Sequence, residues 1–138
     1  MRFRTLFIAA PLFLLAAQTV RAQDAANDAD KATRSKLKAD LRNLVTAQEK
    51  YYYEHASYAD QIESLAFHAS AGSQVSLVAT QNNAWAGVAS DPSWTGKSCV
   101  IFINLAKKYR PATAQDKRVG EVNEEGKPLC DGDPPPEK

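Results

Sequence analysis

The sequence predicts an α+β domain in which one long N-terminal amphipathic helix packs on a small antiparallel sheet of three to four strands. Only one long stretch, Ala29 to Tyr58, sustains helical periodicity. Downstream, the chain breaks into short alternating runs separated by turn residues. A lone amphipathic helix cannot bury its own stripe, so those strands are its natural partner.

At about 100° per residue, Leu37, Leu41, Leu44, Gln48, Tyr52 and His55 fall within a narrow arc, and Val45 and Tyr51 widen it. Leu37, Leu41, Leu44, Val45 and Tyr52 are therefore the expected core face. The opposite face carries Lys36, Lys38, Asp40, Arg42, Asn43, Glu49 and Lys50, with Lys36 and Asp40 at the i,i+4 spacing of a helical ion pair. No Gly or Pro interrupts the run before the looser His55-Ala56-Ser57. Consecutive tyrosines on a helix diverge, so Tyr52 is expected on the sheet with Tyr51 beside it, and Tyr53 faces water as a possible contact residue.

In the run LRNLVTAQEKYYYEHASYADQIESL, a Leu-rich amphipathic turn (Leu41, Leu44) leads into Gln48-Glu49, the cluster Tyr51 and Tyr52, a small-residue turn with Tyr58, and a short run ending at Leu65. This pattern resembles the second half of the long helix of type IV pilin-like proteins, the pilins and the pseudopilins of type II secretion. The likeness extends more weakly through NNAWAGVAS to Cys99 and Cys130, over roughly residues 30 to 131. It implies a helix-on-sheet fold whose last part is a loop closed by a disulfide. Filament-forming pilins begin with a continuous apolar helix, preceded by a basic leader ending in Gly and carrying a glutamate near the new N-terminus. Here Leu6 to Val20 has no Gly-Phe-like junction and no acid, the first being Asp24. The expectation is a retained globular half without the filament-forming stem.

Arg2 and Arg4, the apolar Leu6 to Val20 and the small residues of Val20-Arg21-Ala22 read as a secretory signal peptide over residues 1–22, with cleavage after Ala22, or alternatively after Ala17. Its apolar core, interrupted by Pro11, falls short of the ~20 residues that span a bilayer. A retained anchor is the competing reading. Cleavage lowers the 17 Lys and Arg residues to 14 against 16 acids, and the basic residues are interspersed, which disfavours nucleic acid and anionic membrane as partners. Residues 23–29 (QDAANDA) are expected to be a flexible lead-in, residues 30–131 the domain, and residues 132–138, with their proline run, a disordered tail.

Two cysteines in an exported chain most simply form one disulfide, Cys99 to Cys130; a reactive thiol or metal pair is the rival, without a Cys-x-x-Cys spacing to support it. Among the strands, Gln74 to Thr80 places Val75, Leu77 and Ala79 on one face, with Ser76 and Val78 on the other. Asn82-Asn83 supplies turn chemistry, since asparagine tolerates positive φ, and Ala84 to Ala89 returns as a hairpin with Trp85 half buried. Asp91 to Lys97 is a loop in which Trp94 is a candidate exposed contact, and Ser98 to Asn104 is the most strand-like run, with Cys99, Ile101 and Ile103 facing one way. Leu105 to Gly126 is highly charged and has little core of its own to form.

No nucleophile elbow, phosphate loop or His-Glu-x-x-His motif occurs, and His55 and His68 have no metal-ligand spacing. The expected function is a non-enzymatic periplasmic or secreted interaction or structural module of the cell envelope. It would have a protein partner, no cofactor and no stable membrane span after cleavage. The alternative is a membrane-anchored pseudopilin-like component of a type IV pilus or type II secretion system.

Overall fold

A computed structural model of the chain describes the backbone of residues 15–135 and the side chains of residues 21–135. The first 14 residues of the expected signal peptide and the last three of the expected tail lie outside the described residues. Helix α1 (Leu15–His55) packs across a four-stranded antiparallel sheet of order β1 (Gln74–Gln81), β2 (Ala84–Ser90), β3 (Cys99–Ile103) and β4 (Leu129–Cys130). Among the described residues, no helix is long and apolar enough to cross a membrane.

The helix starts well before its amphipathic stripe. Residues 23–29, expected as a flexible lead-in, are helical, with every side chain exposed. Ala25, Ala26 and Ala29 favour helix, no Gly or Pro opposes it, and the packed turns from Leu37 onward supply a nucleus from which helix propagates backward.

Leu37, Leu41 and Leu44 are fully buried and Val45 packs beside them, against Trp85, Ala89, Cys99, Ile101 and Cys130 on the helix-facing side of the sheet. The helix lies so close over β2 that a Cβ on Gly87 would stand 2.9 Å from Leu44 Cδ2. Glycine is what permits that approach. Trp85 is completely buried instead of half buried, because its ring fills the space between this helix and the sheet.

A bulge between Leu77 and Ala79 changes the expected alternation of β1. Leu77 pairs with Gly87 and faces the helix, whereas Ala79 pairs with Ala86 and packs with Ala84, Phe102 and Leu105 on the opposite face. The helix-facing set from β1 is therefore Val75 and Leu77 without Ala79. The hairpin turn at Asn82-Asn83 uses no positive φ; that conformation falls instead on Asn104, after β3.

The polar stretch after Leu105 covers the outer face of the sheet. Arg110 lays its guanidinium 4.1 Å from the Phe102 ring centroid and donates to the carbonyls of Leu105 at 2.7 Å and Gly120 at 2.9 Å. A Cβ on Gly120 would meet Phe102 Cε1 at 2.6 Å, so this cover is seated directly on the aromatic ring. An arginine over an aromatic face does the work that an aliphatic residue does elsewhere.

Candidate functional site

Three polar assemblies tie the connecting segments to the helix and leave the clefts between them. At the C-terminal end of α1, the buried Gln48 side chain treats Ala59 as a strand would: Nε2 donates to the Ala59 carbonyl at 3.0 Å and Oε1 accepts from the Ala59 amide at 2.9 Å. Replacing it with Leu keeps the volume but strands two buried backbone groups, at an expected cost of about 1 to 3 kcal/mol measurable by denaturant unfolding. An aromatic ladder stands next to this clasp. Tyr52 lies 4.7 Å from Tyr58, which meets Trp85 edge-on at 6.2 Å, and the Tyr58 hydroxyl donates to Glu49 at 2.7 Å. Burial, together with the Glu49 carboxylate, raises the Tyr58 pKa well above its ordinary value.

The ladder corrects the expectation for Tyr52. It is 37% exposed and packs on Tyr58 at the rim, since at this point α1 has passed the buried part of the sheet. Tyr51 is the half-buried tyrosine of the core margin, stacked on His55 at 3.9 Å, and Tyr53 is 92% exposed. Trp94, a candidate exposed contact from its loop composition, is only 3% exposed. The Asp91–Trp94 turn folds the indole into the helix-facing core, where Lys97 lies 5.4 Å from its ring.

The second assembly joins α1 to the loops at the start of β1 and the end of β2. Lys36 and Asp40, expected to pair with each other on a wet face, each take a distant partner. Lys36 Nζ donates to the Asp91 carboxylate and to the Ala71 carbonyl, and the buried Asp40 accepts from the Ser70 amide at 3.1 Å and hydroxyl at 2.7 Å. The Lys36 ammonium first, then the hydroxyl and amide of Ser93, hold the Asp91 carboxyl down at about 2, against an ordinary value of 3.8. A depressed carboxylate pKa contributes stability that is present above the ordinary value and is lost as pH falls from about 4 toward 2. Lys36→Met is expected to flatten the fall in melting temperature over that range, which thermal scans from pH 5 to pH 2 would reveal.

The third assembly closes the C-terminal loop. Cys99 and Cys130 are bridged, buried and directly paired across β3 and β4. Next to them the buried Asp131 accepts from the amides of Ser98 at 2.7 Å, Asp116 at 2.7 Å and Gln115 at 3.1 Å. Burial opposes ionisation of Asp131, but the amides of Asp116, Ser98 and Gln115 together outweigh it and lower its pKa. Asp133, assigned by sequence to a disordered tail, is held by Lys38 at 2.8 Å and Arg34 at 3.5 Å, while Arg118 donates to its carbonyl at 2.8 Å. The beginning of the tail is therefore fastened to the helix. Nothing in the Cys-Asp-Gly-Asp run except its turn chemistry hinted at this, because the partners are about a hundred residues away in sequence.

Among the described residues, no group of three His, Cys, Asp or Glu side chains could hold a metal ion. The remaining concavities are open clefts. One of about 380 Å³ lies at the end of the tyrosine ladder, between Tyr58, Asp60 and the strand residues Thr80 and Gln81. Another, of about 660 Å³, lies between Ile62, Leu65, Phe67 and Val75. In comparisons with known proteins, the chain matches no family model and no curated protein sequence.

Proposed function

We propose that the protein is a non-enzymatic, exported pilin-like domain that acts as an interaction or structural module of the cell envelope. The observation that carries this reading is the Cys99–Cys130 bridge, closed between directly paired strand residues beneath the helix. Such a bridge persists in an oxidising compartment, in agreement with the signal-peptide pattern of residues 1–22. The long helix over an antiparallel sheet, with the C-terminal segment fastened by the bridge and by Asp131, supports the likeness to pilin globular domains.

One observation favours the second reading, a membrane-anchored pseudopilin-like component. Helix α1 runs without a break from Leu15 through the expected cleavage junction at Ala22. Mass spectrometry of the protein isolated from envelope and soluble fractions separates the two. A mature chain beginning at Gln23 in the soluble exported fraction supports the first reading, and an intact Met1 in the membrane fraction supports the second. Both cysteines alkylating without prior reduction would overturn export.

A further inference from the structure

Strand β1 is the exposed edge of the sheet, and its eight residues, QVSLVATQ, include no charge and no proline. Edge strands are ordinarily protected by such residues. Among the described residues, the only protective device along β1 is the bulge at Val78, whose side chain is 51% exposed. Among the described residues, the backbone of β1 pairs with β2 and with no other segment. Both clefts described above open along this edge. The apolar one includes Val75 and the polar one Thr80 and Gln81. The bulge leaves Val75 and Thr80 on the same, helix-facing side, opposite Ala89 and Trp85 of β2, which stand four residues apart. Each cleft also carries a carboxylate, Glu63 in the first and Asp60 in the second, and neither meets a cation among the described residues.

We infer that β1 is a docking edge for an extended segment of a partner protein, added antiparallel as a fifth strand. The segment carries a basic side chain, followed four residues later by an apolar one. The backbone ladder supplies affinity and the two clefts supply specificity. In an antiparallel arrangement the earlier residue lies opposite Thr80, beside Asp60. The later one lies opposite Val75 and enters the apolar cleft between Ile62, Leu65 and Phe67. An even spacing keeps both on one face. The inference rests on the reading of the protein as an interaction module and gives that module its surface and the chemistry of its partner.

The test titrates isotope-labelled protein with an acetylated peptide amide of the sequence threonine, arginine, threonine, valine, threonine, leucine, threonine. The expected result is saturable movement of the Gln74–Gln81 amide resonances at micromolar to high micromolar peptide, since an isolated strand must first be ordered. Asp60→Arg, at an exposed site whose side chain makes no hydrogen bond or ion pair among the described residues, should weaken the arginine peptide at least about threefold and improve a glutamate version. N-methylation of alternate peptide amides should abolish binding in one of the two registers, with no change to the protein. Absence of shifts in β1 overturns the inference, as do shifts confined to other elements or a response indifferent to Asp60→Arg. So does a concentration dependence of the β1 amides without peptide, which would mean that a second copy occupies the edge. Failure here leaves the mature N-terminus and the cysteine oxidation state to decide the proposed function independently.

Discussion

Trp85→Ala should lower the stability of the domain by about 3 to 5 kcal/mol, a large fraction of the whole for a chain of this size. Trp85 is fully buried between the helix and the sheet, its ring is met by Tyr58, and the helix above approaches β2 closely enough to require Gly87. The surrounding groups have little freedom to collapse into the vacated space. Leu44, held against Gly87, is backed by the sheet, and Cys99 is tied to Cys130. Trp85→Phe retains most of the ring and removes an Nε1 that has no hydrogen-bond partner among the described residues, so its cost should be under half that of alanine. Denaturant unfolding of the three proteins checks both expectations. Equal costs for Ala and Phe would show that volume is not what the tryptophan contributes. Leu41→Ala and Leu44→Ala are expected to follow at about 2 to 4 kcal/mol.

The second large effect belongs to the disulfide. Opening the Cys99–Cys130 bridge frees a loop with a sequence separation of 31, worth about 3 to 4 kcal/mol in chain entropy. In a domain this small the melting temperature should fall by on the order of 15 °C. The Cys99→Ser, Cys130→Ser double variant should match reduced wild type. The loop should still stay docked at low temperature, because Asp131 binds Ser98, Gln115 and Asp116 through groups the bridge does not involve. Calorimetry with and without reductant reads the first effect, and amide exchange at Gln115 and Asp116 reads the second. A melting temperature unmoved by reductant would refute a stabilising bridge. Rapid exchange at both amides in the double variant would show that the carboxylate clasp depends on it.

Leu37, Leu41 and Leu44 were legible because their spacing is a property of the helix itself: residues on one stripe share an environment whatever covers them. Cys99, Ile101 and Ile103 were legible for the corresponding reason in a strand. Tyr52 was not, although it lies on the same stripe, because burial also depends on how far the partner sheet extends beneath the helix. Trp94 shows the reverse case. Its neighbours Asp91, Pro92 and Gly96 suit a surface loop, and they do form one, but the turn they make points the indole into the core. The bulge at Val78 left no mark in composition and moved Ala79 to the other face of the sheet.

Periodicity and composition by themselves determined the long helix and its leucine stripe, the first three strands, and which two cysteines are available to join; the short β4 (Leu129–Cys130) carried no such signal. Such signals depend on residues a few positions apart, whose relative directions are fixed as soon as the backbone takes up helical or extended geometry. The tertiary structure alone decided where the charges went. Lys36 and Asp40 were placed to meet each other, yet one reached Asp91 and the other Ser70. The isolated i,i+4 pair gains only a few tenths of a kcal/mol in water, whereas a carboxylate at the boundary of a core requires donors wherever the fold supplies them. The same holds for Asp131 and Asp133, and for the uncharged edge of β1, whose exposure follows from the order in which the strands assemble.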